Sequence, residues 1–317
     1  MAGTRQAHYP TTVRDFSGRH TNTKICRLPM EPELVLDAQA ALGEGPAWDA
    51  ANNQLVWVDI YPGRVHRFNP ETGNESFVEV GQQVGAVVPR SAGGLALAAA
   101  DGFLALDDCG TVTSLAVVDA DDSSLRMNDG KCDPLGRFWA GTTRLDETPN
   151  GGSLYRLDAD RSTQSVLDGV TISNGIAWSL DNHLMYYIDT ATGGIDVFDF
   201  NLEAGTIANR RRFVTMPPEA NMPDGMTIDA EGHLWVAAWG SWHVYRFAPD
   251  GALDRAIQLP VAQITSCTFG GADLTDLYIT SARTRLSEAE LRDQPHAGGV
   301  FRLRPGVTGR PTVAYAG

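Results

Sequence analysis

One aromatic-centred strand recurs six times along the chain, and no other feature limits the possible folds so tightly. The copies read LVWVDI (55–60), LALAAA (95–100), RFWAGT (137–142), LMYYID (184–189), HLWVAA (233–238) and DLYITS (276–281). Their central residues, Trp57, Leu97, Trp139, Tyr187, Trp235 and Tyr278, follow one another at intervals of 40, 42, 48, 48 and 43 residues. After each copy and a turn comes a strand in which Val, Tyr, Phe or Leu alternates with Arg, His or Asp, as in RVHRFNP (64–70), SLYRLD (153–158) and HVYRFAP (243–249). That period-two alternation marks half-buried antiparallel strands. Weaker segments such as ESFVEV (75–80) and TSLAVVD (113–119) supply outer strands. Four strands repeated at this spacing make a β-propeller blade, so the chain is expected to be all-β, a six-bladed β-propeller. Segment 32–37 is expected to be the outer strand of the last blade and so close the ring, because an open ring keeps unpaired edges. A β-sandwich also strings short strands together, but it does not predict six copies of one strand.

Composition narrows the function. The 317 residues include 33 Gly and 17 Pro, which excludes a coiled coil or long helical bundle. A formal net charge of −14 argues against nucleic acid or an anionic membrane as partner, since phosphate binding needs a basic face. No apolar run reaches the ~18 residues of a membrane helix. Residues 1–29 differ in kind: Arg5, Arg14, Arg19, Lys24 and Arg27 stand against one acid, Asp15. This stretch lacks the apolar core of a secretory signal. It reads as a dispensable basic extension, disordered or created by an upstream start codon, with a transit segment as the alternative; the propeller is expected over 30–317. The cysteines, Cys26, Cys109, Cys132 and Cys267, form no CxxC pair, so a reduced thiol set and a cytoplasmic location are the default. A monomer is the expectation for a closed ring.

In a propeller the first strand of each blade lines a central channel. Counting back 11 to 13 residues from each central aromatic position gives Glu44, Gly85, Asn128, Asn174, Asp224 and Ser266. Being equivalent by repeat, these six converge on one mouth of the channel. Glu44, Asn174 and Asp224 offer two carboxylates and an amide oxygen, hard ligands suited to a divalent cation. Asn-Gly and Asp-Gly also serve simply as tight turns. Agreement in repeat phase favours the ligand reading, because carboxylates gathered without a cation repel one another. Arg126 and Asn128 join the same rim. There Arg126 is either a counter-charge to the acids or a fork that orients a hydroxyl-rich or anionic ligand.

The segments LGEGPAWD, RMNDGKCDPLGRFWAGT, ISNGIAWSLDNHLMYYIDT, NMPDGMTIDAEGHLWVA and ITSCTFGGADLTDLYITSAR, in this order, resemble the SMP-30/gluconolactonase family. The resemblance covers about 42–317. It implies a six-bladed propeller with one divalent metal (Ca, Zn, Mg, Mn or Fe(II)) at the mouth of the channel, hydrolysing a small-molecule sugar-acid lactone. It also implies the roles of individual residues. Glu44, Asn174 and Asp224 become the metal ligands and Asp224 the proton acceptor. Arg126 and Asn128 become substrate contacts, and a further acidic contact falls on Asp146. Two other readings share the scaffold: an aryl-ester or organophosphate hydrolase, and a calcium-binding regulatory or interaction protein. A nucleophilic serine is not expected, since no GxSxG elbow is present.

Overall fold

The structure, a computed structural model, describes residues 31–317. The basic extension expected over 1–29 lies outside the described residues. Six four-stranded antiparallel sheets follow one another in chain order. Their innermost strands are Gly43–Asp49, Val84–Pro89, Leu125–Cys132, Ser173–Trp178, Pro223–Ile228 and Ile264–Gly270, in blades 1 to 6. The second strands are Gln54–Asp59, Leu95–Ala99, Phe138–Arg144, Leu184–Asp189, Leu234–Ala238 and Asp276–Ser281. All six expected central residues lie in these second strands and are fully buried.

Ring closure follows the expectation as well. Glu33–Leu36 pairs antiparallel with Val300–Leu303 and completes the sheet of blade 6, so the first described strand and the last form one blade. The apolar core lies between neighbouring blades. One cluster joins Tyr186, Ile188 and Val214 of blade 4 to Met226, Val236 and Tyr245 of blade 5, and another joins Trp139 and Leu154 of blade 3 to Ile176 and Tyr187 of blade 4. Among the described residues no helix is long and apolar enough to cross a membrane.

Two elements had no repeat signal. A six-residue helix, Glu288–Asp293, is started by a capping box between Ser287 and Glu290. The C-terminal segment crosses the end of the channel opposite Glu44, where Thr312 Oγ1 accepts from Trp48 N, Gly309 bridges to Asp229 and Tyr315 to Arg90. Tyr315 is fully buried there and donates to Asp158 O at 2.8 Å.

Candidate functional site

All six inner strands break register against their second strands near the same end. In blades 1, 3, 4 and 5 the break spans Glu44 to Ala47, Met127 to Gly130, Ser173 to Ile176 and Pro223 to Met226. In blades 2 and 6 it is shorter, Val84 to Ala86 and Ile264 to Ser266. A bulge re-aims the side chains it carries. The four longer breaks are those that hold Glu44, Asn128, Asn174 and Asp224. Glycine permits the crowding: a Cβ at Gly85 would lie 2.3 Å from Asn128 O, and one at Gly175 2.8 Å from Asp224 O.

Glu44, Arg126, Asn128, Asn174 and Asp224 line one pocket, together with Tyr61, Glu147, Thr190, Trp239 and Arg285. Glu44, Asn174 and Asp224 are each buried. Asn174 is held on both sides. Its Nδ2 donates to Thr190 Oγ1 at 2.7 Å, Thr190 Oγ1 donates to Pro223 O at 2.7 Å, and its Oδ1 accepts from Asn128 Nδ2 at 2.8 Å. That leaves one lone pair on Asn174 Oδ1 for a further partner. Asn128 Nδ2 also donates to Ser173 O at 2.6 Å, and Asn128 Oδ1 accepts from Arg126 Nη1 at 2.5 Å. Its amide therefore links Arg126 to Asn174. The other two guanidinium nitrogens of Arg126 make no hydrogen bond among the described residues.

The two carboxyls share a hydrogen bond, and both are pushed toward the neutral form. Burial raises Glu44 to about 8, with the like charge of Asp129 adding to it and Arg126 opposing. Asp224 is driven well above the carboxylate range by burial first, then by Glu44 and Asp129. Asp129, buried deeper in the channel, is itself raised by burial. Apart from the Glu44 carboxyl, Asp224 has no hydrogen-bond partner among the described residues. Three oxygen donors with unrelieved like charge and one guanidinium in reach fit a hard divalent cation, which would supply the missing positive charge.

Asp146 lies outside the pocket lining. It is exposed, its Oδ1 accepts from Thr148 N at 3.1 Å, and it faces Arg144 at 3.6 Å rather than the pocket. The pocket is lined by the next residue, Glu147, whose backbone is left-handed (φ 56°). Periodicity does not fix which of two adjacent acids in a loop turns inward. Tyr61, Glu147, Thr190, Trp239 and Arg285 follow the second strands of blades 1, 3, 4, 5 and 6. The residues leaving each second strand were the signal that could have found them. His66 and His243 lie apart from the pocket: His66 stacks on Trp57 at 3.9 Å, and His243 packs by Tyr245.

A second acidic group, Asp229, Glu231 and His233, brings its ligand atoms within 4.8 Å of one another. Its carboxylates are already engaged. Asp229 accepts from Trp235 Nε1 and Arg246 Nε, each at 2.9 Å, and from Arg246 Nη2 at 2.6 Å. Glu231 takes another bond from Arg246 Nη2 at 2.6 Å. Asp133 repeats the device in blade 3 with Arg137 and Trp139 Nε1. Such an Asp ties a turn to its blade.

Residues 42–283 match the family of SMP-30/Gluconolactonase/LRE-like regions. Regucalcin of Sus scrofa is 41% identical over 293 residues, covering 90% of this chain and 98% of that protein. YvrE of Bacillus subtilis (strain 168), whose name assigns it provisionally as a sugar lactone lactonase, is 38% identical, covering 91% and 99%. The crystal structure of a calcium-binding protein, regucalcin, from Agrobacterium tumefaciens superposes with a TM-score of 0.85 at 27% identity, covering 89% of this chain and 96% of the other.

Proposed function

Because this chain belongs to the SMP-30/gluconolactonase/LRE-like family, we propose that it is a metal-dependent lactonase that opens a sugar-acid lactone to the aldonic acid. The observation that carries this reading is the buried Glu44–Asp224 pair, beside the Asn174 oxygen, in a pocket where Arg126 keeps free donors. A divalent cation held by Glu44, Asn174 and Asp224 would supply Lewis acidity toward the lactone carbonyl and the attacking water.

The chain's own residues do the rest. Asn128 and Thr190 lock the Asn174 amide, so that its oxygen faces the carboxyl pair without reorganisation. Arg126, anchored through Nη1, offers its other nitrogens to the substrate's hydroxyls. Asp224 takes a proton from the attacking water as oxygen adds to the carbonyl carbon, and returns it to the ring oxygen as the C–O bond breaks. At neutral pH the aldonic acid then releases one proton, which gives the assay.

The full chain, stripped with chelator, should regain proton release on glucono-, galactono-, arabinono- or xylonolactone when Ca²⁺, Mg²⁺, Mn²⁺, Zn²⁺ or Fe²⁺ is restored. Folded, metal-bound protein that turns over none of these overturns the reading. The calcium-binding regucalcin structure makes Ca²⁺ the first ion to try, and the oxygen donor set accommodates the others.

A further inference from the structure

An ion pair crosses the mouth of the pocket. Arg285 Nη2 donates to Glu147 Oε1, and both residues line the pocket. Glu147 leaves the second strand of blade 3 and Arg285 the second strand of blade 6. In a ring of six these blades face each other, so the pair spans the channel above Glu44, Asn174 and Asp224.

Stability does not account for it. The two side chains are 41% and 53% exposed, and an exposed ion pair contributes little. Both residues are also left-handed without being glycine, at φ 56° and φ 64°, a conformation that costs each more than such a pair gives back. Strain of this kind concentrates where a side chain must be aimed at a ligand.

We propose that Arg285, opposed to Glu147, is a specificity-determining residue that selects polyhydroxylated lactones over unsubstituted ones. This rests on the lactonase reading above. With the reacting carbonyl at the carboxyl pair, the hydroxylated arm of the substrate points out of the channel toward the Arg285–Glu147 pair, which straps the mouth. The strap opens around it, with the Glu147 carboxylate accepting from one hydroxyl and the Arg285 guanidinium donating to another. A lactone without hydroxyls leaves both charged groups with only each other and water, and so gains nothing from them.

The test compares glucono-1,5-lactone with δ-valerolactone, which has the same ring and no hydroxyls, on the metal-restored full chain. Arg285→Ala should lower the ratio of their kcat/KM values by about 10- to 100-fold, mainly through the KM for the hydroxylated substrate. Arg285→Lys should recover part of the ratio, and Glu147→Gln should lower it in the same direction. Calorimetric affinity for gluconate, the open product, should weaken in parallel. An unaltered ratio and gluconate affinity in Arg285→Ala overturn the inference and leave the lactonase reading standing. A wild-type chain that, with any ion, hydrolyses neither lactone nor the galactono-, arabinono- and xylonolactones overturns both.

Discussion

Asp224 and Asp229 are five residues apart, one on the inner strand of blade 5 and one just beyond its end, and both are buried. Their surroundings differ in completeness. Asp229 accepts from the backbone N–H groups of Glu231 and His233, from the Trp235 indole and from two nitrogens of Arg246. Every lone pair has a donor and the charge has a paired cation. Asp224 has the Glu44 carboxyl for a partner and Asp129 for a further like charge, with Arg126 in opposition. A finished network holds a turn to its blade. An unfinished one, at the channel mouth, is a place for something the chain does not itself contain.

Breaking each end of that strand should therefore damage different properties. Asp224→Asn should cut metal-restored lactone turnover by about 10²- to 10³-fold or more, while the metal-free protein melts no lower than wild type, because a buried like-charge contact is gone. Asp229→Ala should do the reverse. It leaves the Trp235 indole N–H and Arg246 Nε without their acceptor, while Glu231 and Asp254 still pair the guanidinium, and should cost about 1–3 kcal/mol in denaturant unfolding, with per-molecule turnover of the folded fraction retained.

Asn128 lies between these extremes. Asn128→Ala removes the donor that fixes the Asn174 oxygen, so metal affinity should weaken by about 10- to 100-fold in a calorimetric titration. A separate effect is on pH dependence. Glu44 in the folded chain is raised from its usual 4.5 to about 8, so between those values the folded state binds more protons than the unfolded one. Stability of the metal-free protein should then fall as pH rises through that window, read as a declining Tm. Saturating metal, which binds the ionised carboxylates, should flatten the decline.

Much of this was legible in the sequence because the fold repeats. Central aromatics at regular intervals located the second strands, and counting back from them reached Glu44, Asn174 and Asp224, which share one pocket. What was not legible lies where repeat phase has no hold. The choice between Asp146 and Glu147 depends on a left-handed loop residue, and Arg285 sits in a connection of its own length and shape. Asn128 was expected to contact substrate; it lines the pocket, but its amide is engaged with Ser173, Asn174 and Arg126. The C-terminal segment buries Tyr315 through long-range bonds that no local pattern announces.

The most direct measurement is a calorimetric metal titration of the chelator-stripped full chain, run on wild type, Asp224→Asn and the double variant Glu231→Ala/His233→Ala. Wild type and the double variant should each bind one ion, and Asp224→Asn none. An ion retained by Asp224→Asn but lost from the double variant would contradict this, placing the metal at the outer turn of blade 5 instead of the channel mouth.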